Sequence, residues 1–250
     1  MSGEGKQISV VSSQGLDEFV ADHLRAAVFT PSLQHLQIAS VARELLQQLS
    51  QFTGDPMILP IPAEAPAEIP RIVLTDSTGA MQFQVAPSRS DLSLARQPGG
   101  RLDVSEFFEG AGEKLEVLLG ALGVRPGRLA VTGTFFHRSD NPAMVLAAHF
   151  CQSHWVEEGP LRDLRAFELH AQRRLEPPEG PALNSWIRCK TGSVSDAGIT
   201  FPAIIVERDI NSLAEEAEGR EFDADALRSF MRQSGAQLSA EIPAYFRRAP

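Results

Sequence analysis

Arg165-Ala166-Phe167-Glu168-Leu169-His170-Ala171-Gln172-Arg173-Arg174-Leu175-Glu176 is the stretch on which the fold class turns. At first sight it is a basic helix. Yet Phe167, Leu169, Ala171 and Leu175 alternate with Glu168, His170, Gln172, Arg174 and Glu176. Period two fits better than 3.6, so the stretch reads as a strand with one wet face, its apolar side interrupted by Arg173. Pro177-Pro178-Glu179-Gly180-Pro181 turns the chain, and 184–191, with Trp186 and Ile187, returns it. Ser195-Asp196-Ala197-Gly198 turns it again, and Ala203 to Val206 form a third strand. A helix follows, with Asp223 as N-cap and Phe222 stapled to Leu227; Leu227, Phe230, Met231, Leu238 and Ile242 face inward.

The same order stands upstream. Ile72-Val73-Leu74 runs into the turn Asp76-Ser77-Thr78-Gly79. Met81, Phe83 and Val85 alternate with Gln82, Gln84 and Ala86, and Leu92 and Leu94 mark a third strand. Asp103 caps a helix whose apolar face is Val104, Phe107, Phe108, Ala111, Leu115, Leu118, Leu119 and Leu122, and Gly123 ends it. Gly110 and Gly112 weaken this helix by about 1 kcal/mol each relative to Ala, and close packing against a sheet accounts for them. Between the two units, 128–137 reads as a buried strand and 142–152 as a helix.

Two further helices are expected near the start. Leu16, Phe19, Val20, Leu24, Ala27 and Val28 have helical spacing. Thr30-Pro31 then opens a second helix, with Leu33, Leu36, Val41, Leu45, Leu49 and Phe52 as its buried stripe, stopped by Gly54 and Pro56. Residues 1–13 read as a flexible lead. Pro56, Pro60, Pro62, Pro66 and Pro70 make 54–70 extended, a connector laid along the surface. The expected fold is α+β: largely antiparallel sheet with flanking helices, in an order that allows two similar β-β-β-α lobes. The domain reading is a helical segment at 1–53, the connector at 54–70 and an α+β domain at 71–250, with lobes at 71–137 and 165–245.

Composition sets the class. The chain has 250 residues, 43% hydrophobic and 22% charged, which suits a folded core. The net charge of −9 gives no chain-wide basic field for nucleic acid and disfavours an anionic membrane surface. The cations are twenty Arg against Lys6, Lys114 and Lys190. Cys151 and Cys189 are too few for a disulfide framework, so a reducing compartment is expected. Met1 to Gln7 is polar, and no run approaches the roughly 18 apolar residues of a membrane span, so a cytoplasmic location is expected.

Several phrases carry a family resemblance. They are the Pro-rich lead into Ile72-Val73-Leu74, Gln82-Phe83-Gln84-Val85-Ala86-Pro87-Ser88-Arg89, the strand at 129–137, and Ala203-Ile204-Ile205-Val206-Glu207-Arg208-Asp209-Ile210. Over most of 54–245 the chain resembles a sporadically distributed bacterial family of about this length to which no activity is attached. The family usually carries a more polar, Arg-Tyr-containing strand where this chain has Val131-Thr132-Gly133-Thr134-Phe135-Phe136. The resemblance implies an α+β fold and supplies no catalytic residues. Patchy distribution, by analogy, implies defence-associated genes.

Three sets of residues are candidates for chemistry. Glu207 and Asp209 lie two apart on a strand and share a face, where paired carboxylates can divide acid and base roles; with His170 they form the catalytic candidates. Arg174, Arg188 and Arg173, with His170, make a small cationic patch for a phosphate or an acidic partner, with Glu168 and Glu176 interleaved. Cys151 and His154 share a face if their stretch is helical, and with His149 they are the metal candidates. Gly110-Ala111-Gly112-Glu113-Lys114 lacks the Ser/Thr of a phosphate loop, and Gly192-Ser193-Val194-Ser195-Asp196-Ala197-Gly198 is not a nucleophile elbow. Arg247 and Arg248 read as a soluble tail. No cofactor is expected. The primary reading is a non-enzymatic component that binds another protein, an adaptor, regulator or immunity-type protein, with self-association open. The alternative is a hydrolase-type enzyme with a dispersed site. Nucleic-acid binding comes third, through the local Arg patch alone.

Overall fold

The structure, a computed structural model, describes residues 16, 18–31, 33, 37–62, 64–177 and 180–246. The expected lead at 1–13, Leu36 and the tail at Arg247–Arg248 lie outside these. In chain order the elements are β1 (Val20–Phe29), α1 (Ile38–Gln48), β2 (Met57–Ile58), β3 (Ile72–Thr75), β4 (Met81–Val85), β5 (Arg89–Ala95), α2 (Val104–Leu122) and β6 (Arg128–Arg138). There follow α3 (Pro142–Phe150), α4 (Ser153–Glu157), β7 (Glu168–Leu175), β8 (Leu183–Asp196), β9 (Ile199–Ser212), a 3-10 turn (Ala214–Gly219), α5 (Ala224–Ala240) and α6 (Ile242–Phe246).

All nine strands form one antiparallel sheet, in the order β2-β3-β4-β5-β1-β6-β9-β8-β7. The fold is α+β, as its sequence pattern implies. The two meanders, β3-β4-β5 and β7-β8-β9, occupy opposite ends of this sheet. Each is followed by a long helix, and each meets one of the central strands through its last strand: β5 on β1, β9 on β6.

One expectation fails at the centre. The stretch 16–28, read as a helix, contains β1, paired with β5 on one side and β6 on the other. Leu24, Ala26 and Val28 are fully buried at spacing two. That alternation coexists with the helical spacing of Leu16, Val20, Leu24 and Ala27, and the sheet's hydrogen bonds decide between them. The second helix is also corrected at its start. Thr30 donates its backbone N–H to the Ser88 carbonyl (3.1 Å), and α1 begins only at Ile38. The connector is pinned by buried Arg71, which donates to the Ile69 carbonyl (2.8 Å) and, at 3.5 Å, to those of Pro62 and Ala65.

Helices α1, α2, α3, α5 and α6 lie on one face of the sheet. Phe83, Leu92, Leu24, Val131, Val206 and Cys189, one from each of six strands, are buried beneath them in one core cluster. Asp103 Oδ1 accepts the Glu106 N–H (3.0 Å) and Asp223 Oδ1 the Ala226 N–H (2.8 Å), so both long helices start on the caps their sequence supplies. Gly123, at φ +66°, closes α2. Gly112 and Gly235 serve helix-on-helix rather than helix-on-sheet packing, which corrects the expectation for Gly112, while Gly110 meets only the Lys114 side chain of its own helix. A Cβ on Gly112 would stand 3.3 Å from the Arg228 Cα on α5, and one on Gly235 of α5 would stand 2.6 Å from the Phe108 ring on α2.

A charge is buried in this layer. Arg208, on β9, has a fully buried side chain that donates to Glu241 (2.6 Å), to the Tyr245 hydroxyl (2.7 Å) and to the Ser185 hydroxyl (3.3 Å). These bonds tie Glu241, just past the end of α5, and Tyr245 of α6 to the sheet. Burial pushes the Glu241 carboxyl up, but hydrogen bonds from Gln237 and Arg208 and the charges of Arg208 and Arg173 outweigh it and hold it below the usual value.

Two predictions follow from this packing. Gly235→Ala drives a methyl into Phe108 and costs about 1–3 kcal/mol, whereas Gly120→Ala, with no atom within 4 Å, stabilises by about 0.5–1 kcal/mol. Thermal unfolding of the two variants checks the opposite signs. Glu241→Ala strands the Arg208 charge and costs about 3 kcal/mol, while Arg208→Met, which removes that charge and keeps the volume, costs less. Because the Glu241 carboxyl is lowered in the fold, its contribution is complete above 4.5 and is lost as pH falls through the folded value. Urea titrations therefore show the wild type losing more stability on acidification than Glu241→Gln.

Candidate functional site

The pleat sends alternate residues of each strand to the face away from the helices. There the central strands carry polar side chains in register. One row runs Trp186, Asp209, Thr132, Arg25, Ser93 across β8, β9, β6, β1 and β5; the next runs His170, Arg188, Glu207, Thr134, His23 from β7 to β1. All of these but Ser93 line a cleft of about 490 Å³. Among the described residues none of the helices α1, α2, α3, α5 and α6 packs over this face. One end of the face is walled by the β8–β9 hairpin tip, which reaches across to the loop after β5. Asp196 Oδ1 accepts the Gly99 N–H (2.7 Å) and pairs with Arg96 (3.1 Å), which also pairs with Asp22. Val20, Phe136, Val194, Phe201 and Ala203 form a small apolar cluster at this end.

The catalytic candidates are brought together here: His170, Glu207 and Asp209 share the cleft, with Arg188 beside them. Their environments differ. Arg188 grips Glu168 through two bonds (2.7 and 3.1 Å) and reaches Glu207 (3.4 Å), to which Lys190 also donates. The Arg188 hydrogen bond holds the Glu168 carboxyl below the usual range. Asp209 is different: burial pushes its carboxyl up, only partly offset by the Asn211 amide (2.7 Å) and the charges of Arg128 and Arg89. The His170 ring stands 5.0 Å from the Trp186 ring.

The cationic candidates do not converge. Arg188 lies on the open face and is spent on carboxylates. Arg174, farther along β7, sits 3.9–4.0 Å from Glu215 and Glu216. Arg173 points to the helix face, where it pairs with Glu241. The metal candidates separate as well. Cys151 follows α3 in extended conformation, while His154 belongs to α4, so they do not share one helix. His149 bonds the Tyr245 carbonyl (2.8 Å). Among the described residues no group of three His, Cys, Asp or Glu side chains can hold a metal ion. Burial pushes the Cys189 thiol up to about 12, which makes it a poor nucleophile.

Sequence reasoning missed His23, Arg25, Thr132, Thr134 and Trp186 as site residues. His23 and Arg25 were hidden by the helical reading of their stretch; their signal is a polar pair at spacing two among Leu24, Ala26 and Val28. Burial pushes the His23 imidazole down, Arg25 adds to this and Asp22 opposes it. Arg25 is half-buried and has no ionic partner among the described residues. A second cavity, about 760 Å³ between the end of α2 and the start of α5, holds none of the candidates. Its charges are already engaged: Asp223 caps α5, Glu116 pairs with Arg228 and Glu221 with Arg125.

No helix among the described residues is long and apolar enough to cross a membrane. No family model and no curated protein matches the chain. Among solved structures it has a slight likeness to one described as "Crystal structure of the di-domain ARO/CYC StfQ from the steffimycin biosynthetic pathway", at 9% identity and a TM-score of 0.22, over 90% of this chain and 96% of that one. A likeness of that size carries no argument about fold or activity.

Proposed function

We propose that the chain is an interaction protein of adaptor or regulator type, whose partner seats on the open face of the sheet and presents an acidic group to its centre. The observation that carries this is Arg25. Its neighbours on the same face, Arg188, Lys190 and Arg89, are each bonded to a carboxylate, whereas Arg25 is half-buried with none among the described residues. A guanidinium kept in a polar cleft without a counter-ion is a binding group awaiting its anion. The rest of the face suits recognition: paired charges, amides and hydroxyls, with no thiol lining the cleft.

A second reading, an acid/base enzyme, is favoured by one observation. Asp209, pushed up toward neutrality by burial, lines the same cleft as His23, whose imidazole burial pushes down and keeps neutral.

The test is affinity capture from native lysate with three forms of the chain. The wild type and Arg232→Glu, on the exposed side of α5, are expected to retain one specific partner in stoichiometric amount. Arg25→Glu is expected to lose it by at least about tenfold. Equal capture by Arg25→Glu, or no partner with any form, contradicts the proposal. Asp209→Asn keeps the shape of the cleft and is expected to leave capture intact; on the enzyme reading it abolishes turnover.

A further inference from the structure

We infer that the square of side chains His23, Arg25, Thr132 and Thr134 is a binding site for an oxyanion, a phosphoryl or carboxylate group. This rests on the reading of the open face as a binding surface and names what its centre takes.

The square is set by register. His23 pairs with Thr134 and Arg25 with Thr132, on the adjacent strands β1 and β6. Neighbouring strands lie about 4.8 Å apart and alternate residues about 6.8 Å apart, so four side chains bound a patch the size of one oxyanion with its donors. Every member can donate: a guanidinium fork, a ring N–H and two hydroxyls. All four are half-buried. None has a hydrogen bond to a carboxylate among the described residues, so the donors are free for a ligand.

The surroundings favour an anion over a cation. On the β5 side the square meets Ser93 and Ala95, both neutral. On the β9 side stand Glu207 and Asp209. Glu207 is neutralised by Arg188 and Lys190, and burial disfavours the charged form of Asp209. Asp22, next to His23 in sequence, is turned to Arg96. His23 and Arg25 stand at alternate positions of β1 on one face; burial first and then the Arg25 charge push the His23 imidazole down, so a protonated ring and the guanidinium repel. An anion between them removes that repulsion.

A pH consequence follows with a definite sign. Free His23 titrates below 6.5. A bound anion raises that value, so binding takes up a proton and tightens as pH falls from neutrality. The charged groups facing His23 are Asp22 and Arg25 on its own strand, Arg96 at the end of β5 and Glu207 across Thr134. Of these, Glu207 and Asp22 are already paired with cations.

The experiment titrates inorganic phosphate, and separately acetate, into the full chain at constant ionic strength while the histidine ring resonances are followed by NMR, with His23 assigned from His23→Gln. The His23 signal is expected to shift and saturate with a Kd on the order of a millimolar, and its titration midpoint to rise. Arg25→Gln should weaken this by at least about tenfold. Thr132→Val, which keeps shape and strand preference, should weaken it by a smaller factor, and decides the matter if Arg25→Gln fails to fold. Arg174→Gln, at the edge of the same face, should change nothing. Saturation by phosphate alone assigns a phosphoryl group, and saturation by acetate a carboxylate. No saturation with either ion, or the same shifts in Arg25→Gln, overturns the site. If the site falls while partner capture still depends on Arg25, the binding-face reading stands without it.

Discussion

The whole molecule hangs on β1 being hydrogen-bonded along both edges. Seven residue pairs join it to β5 and nine to β6. Through β5 it holds the first meander, and through β6 and β9 the second, so one strand makes a single sheet of two units that would otherwise be separate. Its helix-side residues Leu24, Ala26 and Val28 are fully buried under α2 and the helices beside it. Gly112 and Gly235 let α2 and α5 lie close to each other. The buried Arg208 then has no water, and Glu241 and Tyr245 become obligatory partners rather than decoration.

The same pleat that buries Leu24 and Ala26 sends His23 and Arg25 to the other face. The site is therefore a consequence of the core: the alternation that fixes one side in the helix layer fixes the other in the cleft. Because the helices described above cover one face, the opposite face of β1, β6, β9 and β8 keeps its polar side chains in the open. Its chemistry is uneven. The β8–β9 side is satisfied internally, through Arg188, Lys190, Glu168 and Glu207. The β1–β6 side is not, and there the donors His23, Arg25, Thr132 and Thr134 have no carboxylate partner among the described residues.

Much of this was legible in the residues. The alternation in 165–176 identified the edge strand, and the period-two pairs Phe83/Val85 and Leu92/Leu94 the first meander. Asp103, Gly123 and Asp223 marked the ends of the long helices, because caps are local chemistry. Glu207 and Asp209 could be placed on one face because spacing two in a strand requires it. What stayed hidden was non-local. The Leu16–Val28 stretch satisfies helical spacing and strand alternation together, and only its pairing with β5 and β6 selects the strand. With that stretch misread, His23 and Arg25 could not be set beside Thr132 and Thr134. Arg173 and Arg174 were grouped in one cationic patch although the alternation already set Arg173 on the apolar side; there it binds Glu241 under the helices, while Arg174 lies on the wet face. Gly112 showed that something must come close without showing that it was α5.

The helix-free face of the sheet is open at β6. In a Cys151→Ser background, Thr132→Cys and Val131→Cys differ by one residue and lie on opposite faces. Native-state maleimide labelling is predicted to modify Thr132→Cys in the folded chain, and Val131→Cys only after unfolding. Protection of Thr132→Cys equal to that of Val131→Cys, in the folded chain alone, would contradict the account.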